Sequence, residues 1–234
     1  MHPLICGRCG ALAEAPLVES PPAVLVCQAC EHRQPFRRLP LWCVTGPSGT
    51  GKSTVSRILV ERLQERFVVL EQDVLWLPGL RDPAGNHRAF RSAWLRMAAM
   101  IHQSGRPVVL CGTVAPPELE PLDERVLFCD IRYLALVCEP NVLAERLRGR
   151  PAWRAWSEER IEETLDFNAW LRDTATELTP PVKLLDTTHE PATATAERVQ
   201  AWLDQPAEAP PPEEPATAPE AAAGGDALEP CDTP

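Results

Sequence analysis

Lysine is almost missing from this chain of 234 residues, whose 23 basic residues include only two lysines, Lys52 and Lys183. No apolar run approaches the roughly 18 residues that a membrane-spanning helix needs. The amino terminus lacks a basic stretch followed by an apolar run, so we predict no signal peptide. These absences predict a cytoplasmic protein, and they make each of the two lysines a residue that needs a reason.

The formal net charge of −10 is unevenly distributed along the chain. Residues 204–234 carry eight acidic residues and no basic one, whereas the rest of the chain has 25 acidic residues against 23 basic ones. We therefore expect a near-neutral body with an acidic tail. Because the tail is rich in Pro and Ala and has almost no large apolar residue, we predict that residues 204–234 are disordered.

Nine cysteines in a cytoplasmic chain favour free thiols or metal ligands over disulfides. Four of them form two C-x2-C pairs, Cys6 with Cys9 and Cys27 with Cys30, separated by 17 residues. This spacing is typical of zinc ribbons, so residues 1–38 are predicted to be a ribbon that holds one structural Zn²⁺ through four thiolates. An iron–sulfur site and a redox pair are the alternatives.

The partner of this ribbon is left open by the sequence. Residues 1–38 contain four basic and three acidic residues, which gives no basic stripe and makes nucleic-acid binding a poor expectation. Docking onto the rest of the chain and docking onto a partner protein are both consistent with the pattern. The other cysteines are interpreted as four buried core thiols and one left over in the tail: Cys43, Cys111, Cys129, Cys138 and Cys231.

Residues 39–203 alternate short apolar runs with longer helical patterns. The runs predict strands at 41–45, 67–70, 108–111, 133–138 and 182–185, and residues 126–129 fit either a short strand or the end of a turn. The helical patterns cover 52–66, 86–104, 140–148, 158–175 and 193–204. Continuous apolar strands that alternate with helices predict an α/β fold with a mostly parallel, doubly wound sheet.

The segment Gly46-Pro47-Ser48-Gly49-Thr50-Gly51-Lys52-Ser53 satisfies the pattern G-x-x-x-x-G-K-[ST] between a predicted strand and a predicted helix. Glycines let backbone amides turn toward phosphate oxygens, and a helix N-terminus adds positive charge. Lys52 is expected to reach the β- and γ-phosphates of ATP, and Ser53 to ligate Mg²⁺. The predicted nucleotide-binding residues here are Gly46, Ser48, Gly49, Thr50, Gly51, Lys52, Ser53 and Thr54.

On this loop and its setting, residues 39–203 resemble the P-loop kinases of nucleosides, nucleotides and other small molecules. The resemblance implies a P-loop kinase-like sheet and ATP- and Mg²⁺-dependent transfer of the γ-phosphoryl group to a small acceptor, with a nucleoside or nucleotide favoured. Many of these kinases have an acid just past the second strand, where this chain has Asp73. Such a carboxylate can orient an acceptor hydroxyl and take its proton, or hold Mg²⁺ through water, so Asp73 is predicted to be catalytic. Glu71 is the rival candidate for this role, and a solvated loop acid is the alternative reading of Asp73.

Two further sites follow from the resemblance. In these kinases the stretch that contains Arg146, Arg148, Arg150 and Arg154 is a mobile lid whose arginines clamp the transferred group, so Arg150 and Arg154 are predicted to be catalytic. Arginines that simply complement a helix C-terminus are the alternative. The loop after the last strand lies against adenine in many members, so Asp186 is a predicted cofactor contact, against an ordinary strand-to-helix connection.

The acceptor side is less well defined by the sequence. Arg88 and Arg91 are candidates for an acceptor phosphate, Trp76 for stacking on a base, and Asn168 for reaching the acceptor, although each also fits a structural role.

One departure separates this chain from many ATPases. The third strand ends in Cys111-Gly112-Thr113, without the acid that motor-type and AAA+ ATPases usually carry there. This disfavours a second hypothesis, a regulatory or nucleic-acid-linked NTPase whose ribbon binds a partner. A nucleotide-binding protein with little catalysis is the third.

Overall fold

The computed structural model describes residues 3–205 of the chain. The predicted disordered tail lies outside the described residues, apart from its first two, and so does Cys231. Within residues 3–205, no helix has both the length and the apolar character that crossing a bilayer requires.

Residues 3–35 form a small antiparallel unit around the cysteine pairs. Its strands are β1 (Leu17–Glu19), β2 (Val24–Val26) and β3 (Arg33–Pro35), hydrogen-bonded in the order β1-β2-β3. The cysteine pairs lie in two tight turns outside these strands, and Gly10 and Glu31 close the turns with positive φ of 75° and 57°. This unit, which we call the ribbon, brings the two cysteine pairs together, and its identity as a zinc ribbon stays a prediction.

A five-stranded, all-parallel sheet follows, with strand order β5-β6-β4-β7-β8. Its strands are β4 (Leu41–Thr45), β5 (Val68–Glu71), β6 (Val108–Cys111), β7 (Ile131–Val137) and β8 (Val182–Asp186). The helices are α1 (Lys52–Arg62), α2 (Arg88–His102), α3 (Pro116–Leu119), α4 (Pro140–Arg148), α5 (Glu158–Thr174) and α6 (Ala192–Leu203). The predicted doubly wound α/β fold is confirmed.

Helices cover both faces of this sheet, which explains why its strands are continuously apolar. On one face, strand residues such as Trp42 and Val44 pack with α1 and α6. On the other face, Leu41 and Cys43 pack with α2 and α5. Neighbouring strand residues point to opposite faces, so both sets have to be apolar when both faces are buried.

Two local expectations need comment. Residues 126–129 are not a strand, because Asp123–Leu127 forms a 3-10 turn that places Leu127 and Phe128 in the core; the turn alternative is confirmed. Cys129 comes directly after these residues and is exposed, so its prediction as a core thiol is wrong, whereas Cys43, Cys111 and Cys138 are buried. A single apolar-looking position at the end of a turn does not reveal which side faces solvent.

The ribbon shares its core with the sheet domain. Leu4 and Leu25 are 2% and 4% exposed and belong to the same buried cluster as Phe90 and Trp94 of α2. Arg96 of α2 adds hydrogen bonds to ribbon backbone carbonyls. Of the two docking modes that the sequence allows, the structure thus shows the ribbon packed onto the rest of its own chain.

Replacing Leu25 with Ala tests this shared core. We expect the free energy of unfolding of the whole chain to fall by about 2–5 kcal/mol, in one cooperative transition, because a buried leucine is lost from a common cluster. Denaturant unfolding of Leu25→Ala and of a control, Leu17→Ala, measures it, since Leu17 is 48% exposed. An unfolding transition of the sheet domain whose midpoint does not change in Leu25→Ala would contradict a shared core.

Candidate active site

The phosphate loop connects β4 to α1 in a backbone conformation that depends on glycine. Gly46, Gly49 and Gly51 have φ of 128°, 93° and 100°, values that disfavour any side chain. A Cβ at Gly46 would overlap the carbonyl oxygen of Leu136 on β7, and one at Gly49 would lie 2.7 Å from the Leu143 side chain. The loop therefore lies tightly against β7 and α4.

Two threonine hydroxyls support the loop from behind. Thr50 is buried and its Oγ1 donates to the carbonyl of Pro47 at 2.9 Å. Thr187, which follows β8, donates to the carbonyl of Thr50 at 3.0 Å. A loop whose carbonyls are held in this way keeps its amides directed to the opposite side, where the cleft lies.

Lys52 is enclosed by this loop. Its Nζ donates to the carbonyls of Gly46 and Pro47, the second at 2.9 Å. Burial lowers the pKa of Lys52 to about 8, and Arg150 adds to this effect while Asp73 opposes it. No hydrogen bond or ion pair of the described residues joins the Lys52 ammonium to a carboxylate. A half-buried cation whose hydrogen bonds go only to carbonyls is suited to receive an anion.

A cleft of about 120 Å³ lies over the loop. It collects most of the residues that the sequence analysis named for catalysis and nucleotide binding, from three separate segments of the chain. The predicted residues that line it are Ser48, Gly49, Gly51, Lys52, Ser53, Thr54, Asp73, Arg150 and Arg154. The predicted loop residues Gly46 and Thr50 do not line the cleft, and Gly46 packs against β7 while Thr50 donates to the carbonyl of Pro47. The lining also includes Glu71, Cys111, Gly112 and Thr113, of which the sequence analysis had named only Glu71 as a possible site residue.

Glu71 is placed closer to the predicted metal ligand than expected. It is the last residue of β5, and its Oε1 accepts a hydrogen bond from the Ser53 hydroxyl. Because β5 and β6 are adjacent, Glu71 pairs in register with Cys111, where β6 has no acid of its own. A carboxylate from the neighbouring strand thus reaches the position beside the hydroxyl of Ser53.

Gln72, the residue after Glu71, requires a glycine at the tip of β6. A Cβ at Gly112 would overlap the side chain of Gln72, which is only 3% exposed. Gln72 opens a 3-10 turn, Gln72–Leu75, in which the backbone leaves the strand and brings Asp73 to the cleft. The buried thiol of Cys111 has its pKa raised to about 12 by burial, which agrees with a core residue and not a nucleophile.

The four arginines of the predicted lid have different surroundings. Arg150 and Arg154 line the cleft, and their guanidinium groups lie 5.2 Å and 4.9 Å from the ring centroids of Trp156 and Trp153. Arg148 instead forms an exposed ion pair with Glu158. The remaining one, Arg146, donates to the carbonyls of Thr187 and Thr188, which fixes the loop after β8.

Asp186 does not line the cleft. Its Oδ1 accepts from the backbone N–H of Thr188 at 2.8 Å, and its Oδ2 lies 3.1 Å from Arg172. These bonds close a turn after β8, so Asp186 as a nucleotide contact stays a prediction. Asn168 is likewise used internally, because its amide exchanges two hydrogen bonds with the backbone of Cys138.

On the acceptor side, the candidate arginines already have partners. Arg88 is paired with Asp123 at 3.2 Å, and Arg91 is 8% exposed and donates to Glu118. Trp76 is 41% exposed and packs edge-on against Phe90 at a centroid distance of 5.0 Å. The flanking apolar side chains that follow Asp73 are also exposed, namely Val74 and Leu77.

The four cysteines of the ribbon form a compact cage. The Sγ atoms of Cys6 and Cys30 lie 3.7 Å apart, as do those of Cys9 and Cys27, and all four sulfurs lie within 4.8 Å of one another. A tetrahedral zinc with Zn–S bonds of about 2.3 Å requires sulfurs about 3.8 Å apart. Among the described residues this is the one group of three or more potential ligands close enough for a metal, and it is compatible with zinc.

Comparison with known proteins agrees with the fold. A sugar kinase from a Janibacter species is 20% identical, with a TM-score of 0.50 over 71% of this chain and 95% of its own. The tunicamycin resistance protein of Deinococcus radiodurans is 21% identical, with a TM-score of 0.50 over 72% and 96%. This chain thus has a P-loop kinase-like α/β fold.

The family is defined by sequence. Residues 43–166, more than half of the chain, match the family described as an AAA domain, and the chain belongs to it. No curated protein matches the sequence.

The lowered pKa of Lys52 predicts proton uptake on ATP binding. At about pH 8.5 the free amine is mostly neutral, and the triphosphate raises its pKa, so binding should take up about 0.7 proton. Affinity therefore falls as the pH rises through about 8. Calorimetric titration in two buffers of different ionisation enthalpy measures the uptake. The Lys52→Arg variant should bind ATP without proton uptake. Equal binding enthalpies for the unaltered protein in both buffers would refute the expectation.

Metal content tests the cysteine cage. We expect one zinc per chain in freshly purified protein, and loss of that zinc in Cys6→Ser or Cys27→Ser, because three thiolates no longer close the tetrahedron. Elemental analysis measures both, with Cys129→Ser as the control because that exposed thiol lies outside the cage. Iron, or no metal at all, in the unaltered protein would rule out the zinc assignment.

Proposed function

We propose that this protein is an ATP- and Mg²⁺-dependent phosphotransferase that moves the γ-phosphoryl group to a small acceptor, most favourably a nucleoside or nucleotide. The observation that carries the proposal is the convergence, in one cleft, of a half-buried cation, a hydroxyl–carboxylate pair, a second carboxylate and two arginines. The residues are Lys52, Ser53 with Glu71, Asp73, and Arg150 with Arg154. The structural neighbour that is a sugar kinase supports the same type of reaction on this fold.

The nucleotide half of the reaction uses the loop. The loop amides and the N-terminus of α1 bind the β-phosphate, and Lys52 neutralises charge that moves from the γ-phosphoryl group toward the leaving oxygen. The adjacent oxygens of Ser53 and Glu71 suit Mg²⁺, which would supply charge neutralisation on the phosphates. This assigns Glu71, together with Ser53, to the metal side of the reaction.

Asp73 then acts on the acceptor. Its carboxylate orients a hydroxyl group and accepts its proton while the acceptor oxygen bonds to the γ-phosphorus and the bond to the ADP oxygen breaks. Arg150 and Arg154 bind the equatorial oxygens in the transition state. The two carboxylates therefore divide the work, with Glu71 on the metal side and Asp73 on the proton side.

The contacts of the acceptor side favour a nucleoside over a nucleotide. A phosphorylated acceptor needs cations, and Arg88 and Arg91 are both occupied by carboxylates. The exposed Trp76, three residues after Asp73, offers an aromatic face on which a base can stack. Regulatory NTPase activity with a ribbon that recruits a partner is less well supported, because the buried leucines of the ribbon pack in its own chain.

Acceptor-dependent formation of ADP is the test. Purified protein with ATP and Mg²⁺ should release ADP faster when a nucleoside is added, and Lys52→Ala should abolish turnover. We expect Asp73→Asn to lower kcat by about 100-fold or more and to leave ATP affinity within a few-fold, because a general base is lost and the phosphate loop is intact. Glu61→Gln, an exposed change on α1, is the control.

The outcomes separate the candidate functions. No acceptor-dependent ADP from any nucleoside, nucleotide, sugar or antibiotic would refute the kinase proposal. Hydrolysis stimulated only by RNA, DNA or a protein would favour the regulatory NTPase. Equal losses of activity and of ATP affinity in Asp73→Asn would remove Asp73 from the proton-accepting role.

A further inference from the structure

The ribbon contacts α2 through an arginine that also neutralises a buried acid. Arg96 donates to the carbonyls of Ala13 and Glu14 at 3.2 and 2.5 Å. The same guanidinium lies 2.7 Å from the carboxylate of Glu124, which is 3% exposed and also accepts from Ser92. Arg96 is therefore shared between the ribbon and the sheet domain, and its position depends on both.

The two carbonyls lie directly after the hairpin turn that holds the first cysteine pair. Within this turn the N–H of Cys6 donates to Ala11 at 2.9 Å, and the N–H of Ala13 donates to Leu4 at 2.8 Å. Cys6 is a member of the cage, and Leu4 is buried in the shared core. Closure of the cage thus fixes the backbone segment to which Arg96 donates.

A second polar contact lies at the end of α2. Gln103, directly after the helix, accepts from the backbone N–H of Arg37 at 2.9 Å and donates to its carbonyl at 3.2 Å. The segment that leaves the ribbon is therefore tied to α2 at a point separate from Arg96. Contacts at the middle and at the end of one helix restrain its rotation as well as its position.

The other end of α2 borders the acceptor side. Trp94 and Phe90 pack edge-on with ring centroids 6.5 Å apart, and Phe90 packs against Trp76 at 5.0 Å. The backbone N–H of Trp76 in turn donates to the carbonyl of Asp73 at 3.0 Å. The nucleotide loop, by contrast, follows the carboxyl end of the central strand β4, and α1 packs on the opposite face of the sheet.

We propose that the ribbon is an intramolecular support of α2, that Arg96 is the positioning residue of this contact, and that metal loading of the four cysteines controls acceptor binding through it. Without the metal, the turn at 6–14 loses its anchor, the two carbonyls leave Arg96, and α2 loosens beside Trp76. ATP binding is unaffected, because no ribbon residue contacts the phosphate loop among the described hydrogen bonds. The acceptor part of this proposal rests on the proposed function.

The full-length protein, with zinc and after stripping by a chelator, provides the first measurement. Hydrogen exchange should increase on zinc removal by a factor at least fivefold larger in residues 88–102 than in α1 and α6, where only global unfolding contributes. Calorimetry should give an ATP affinity that changes by less than twofold, while the KM for the acceptor rises at least fivefold. Unchanged exchange in α2, or equal loosening of all helices, would overturn the proposal.

The reciprocal measurement uses Arg96 variants and follows zinc release to a chromophoric chelator. If the ribbon and α2 support each other, weakening the contact must also weaken metal retention. Arg96→Lys, and the pair Arg96→Met with Glu124→Gln, which leaves no buried carboxylate unpaired, should release zinc at least fivefold faster. Arg198→Ala, which removes an exposed ion pair on α6, is the matched control. Release at the control rate would overturn the proposal.

These readouts keep the two proposals apart. Zinc release and hydrogen exchange need no turnover, so they decide the coupling even if no acceptor is phosphorylated, an outcome that would refute only the proposed function. In an active protein, the Arg96 variants should raise the acceptor KM with a kcat within threefold. An effect on kcat alone would remove Arg96 from the positioning role.

Discussion

The half-buried ammonium of Lys52 is the feature on which the rest of the site depends. Carbonyl oxygens of the loop hold it, and no hydrogen bond or ion pair of residues 3–205 joins it to a carboxylate. Desolvation of an unneutralised cation is costly, and that cost is offset when a polyanion enters. The close contact of Gly46 with β7 and the threonine hydroxyls behind the loop keep the cavity around Lys52 in shape before any ligand arrives.

Adjacent parallel strands supply the acids that surround this cation. The sheet order places β5 next to β6. Glu71 at the end of β5 therefore supplies a carboxylate beside Cys111, where β6 itself has no acid. The 3-10 turn that follows β5 then separates Glu71 from Asp73 and directs them to different parts of the cleft. Two acids two residues apart can thus have different roles because the strand ends between them.

The ribbon and the sheet domain are not independent units, because they share one buried cluster. A segment of this size cannot bury enough apolar surface to fold alone, and here it contributes Leu4 and Leu25 to the core of the sheet domain in addition to forming the cysteine cage. Its contact with α2 lies on the face of the sheet opposite α1 and α6. Nucleotide binding and ribbon docking are therefore built on different helices of one fold.

Much of this protein follows from its sequence by itself. The spacing of the glycines around Lys52, the two cysteine pairs and the continuous apolar strands determined the phosphate loop, the cysteine cage and the α/β class, because each depends on residues close together in the chain. Only the tertiary structure decided that Glu71 reaches Ser53, that Arg146 and Asn168 bind backbone, that Cys129 is exposed and that the ribbon packs on α2. These features depend on burial and on strand order, which bring together segments that are distant in sequence. No local sequence pattern encodes such an arrangement.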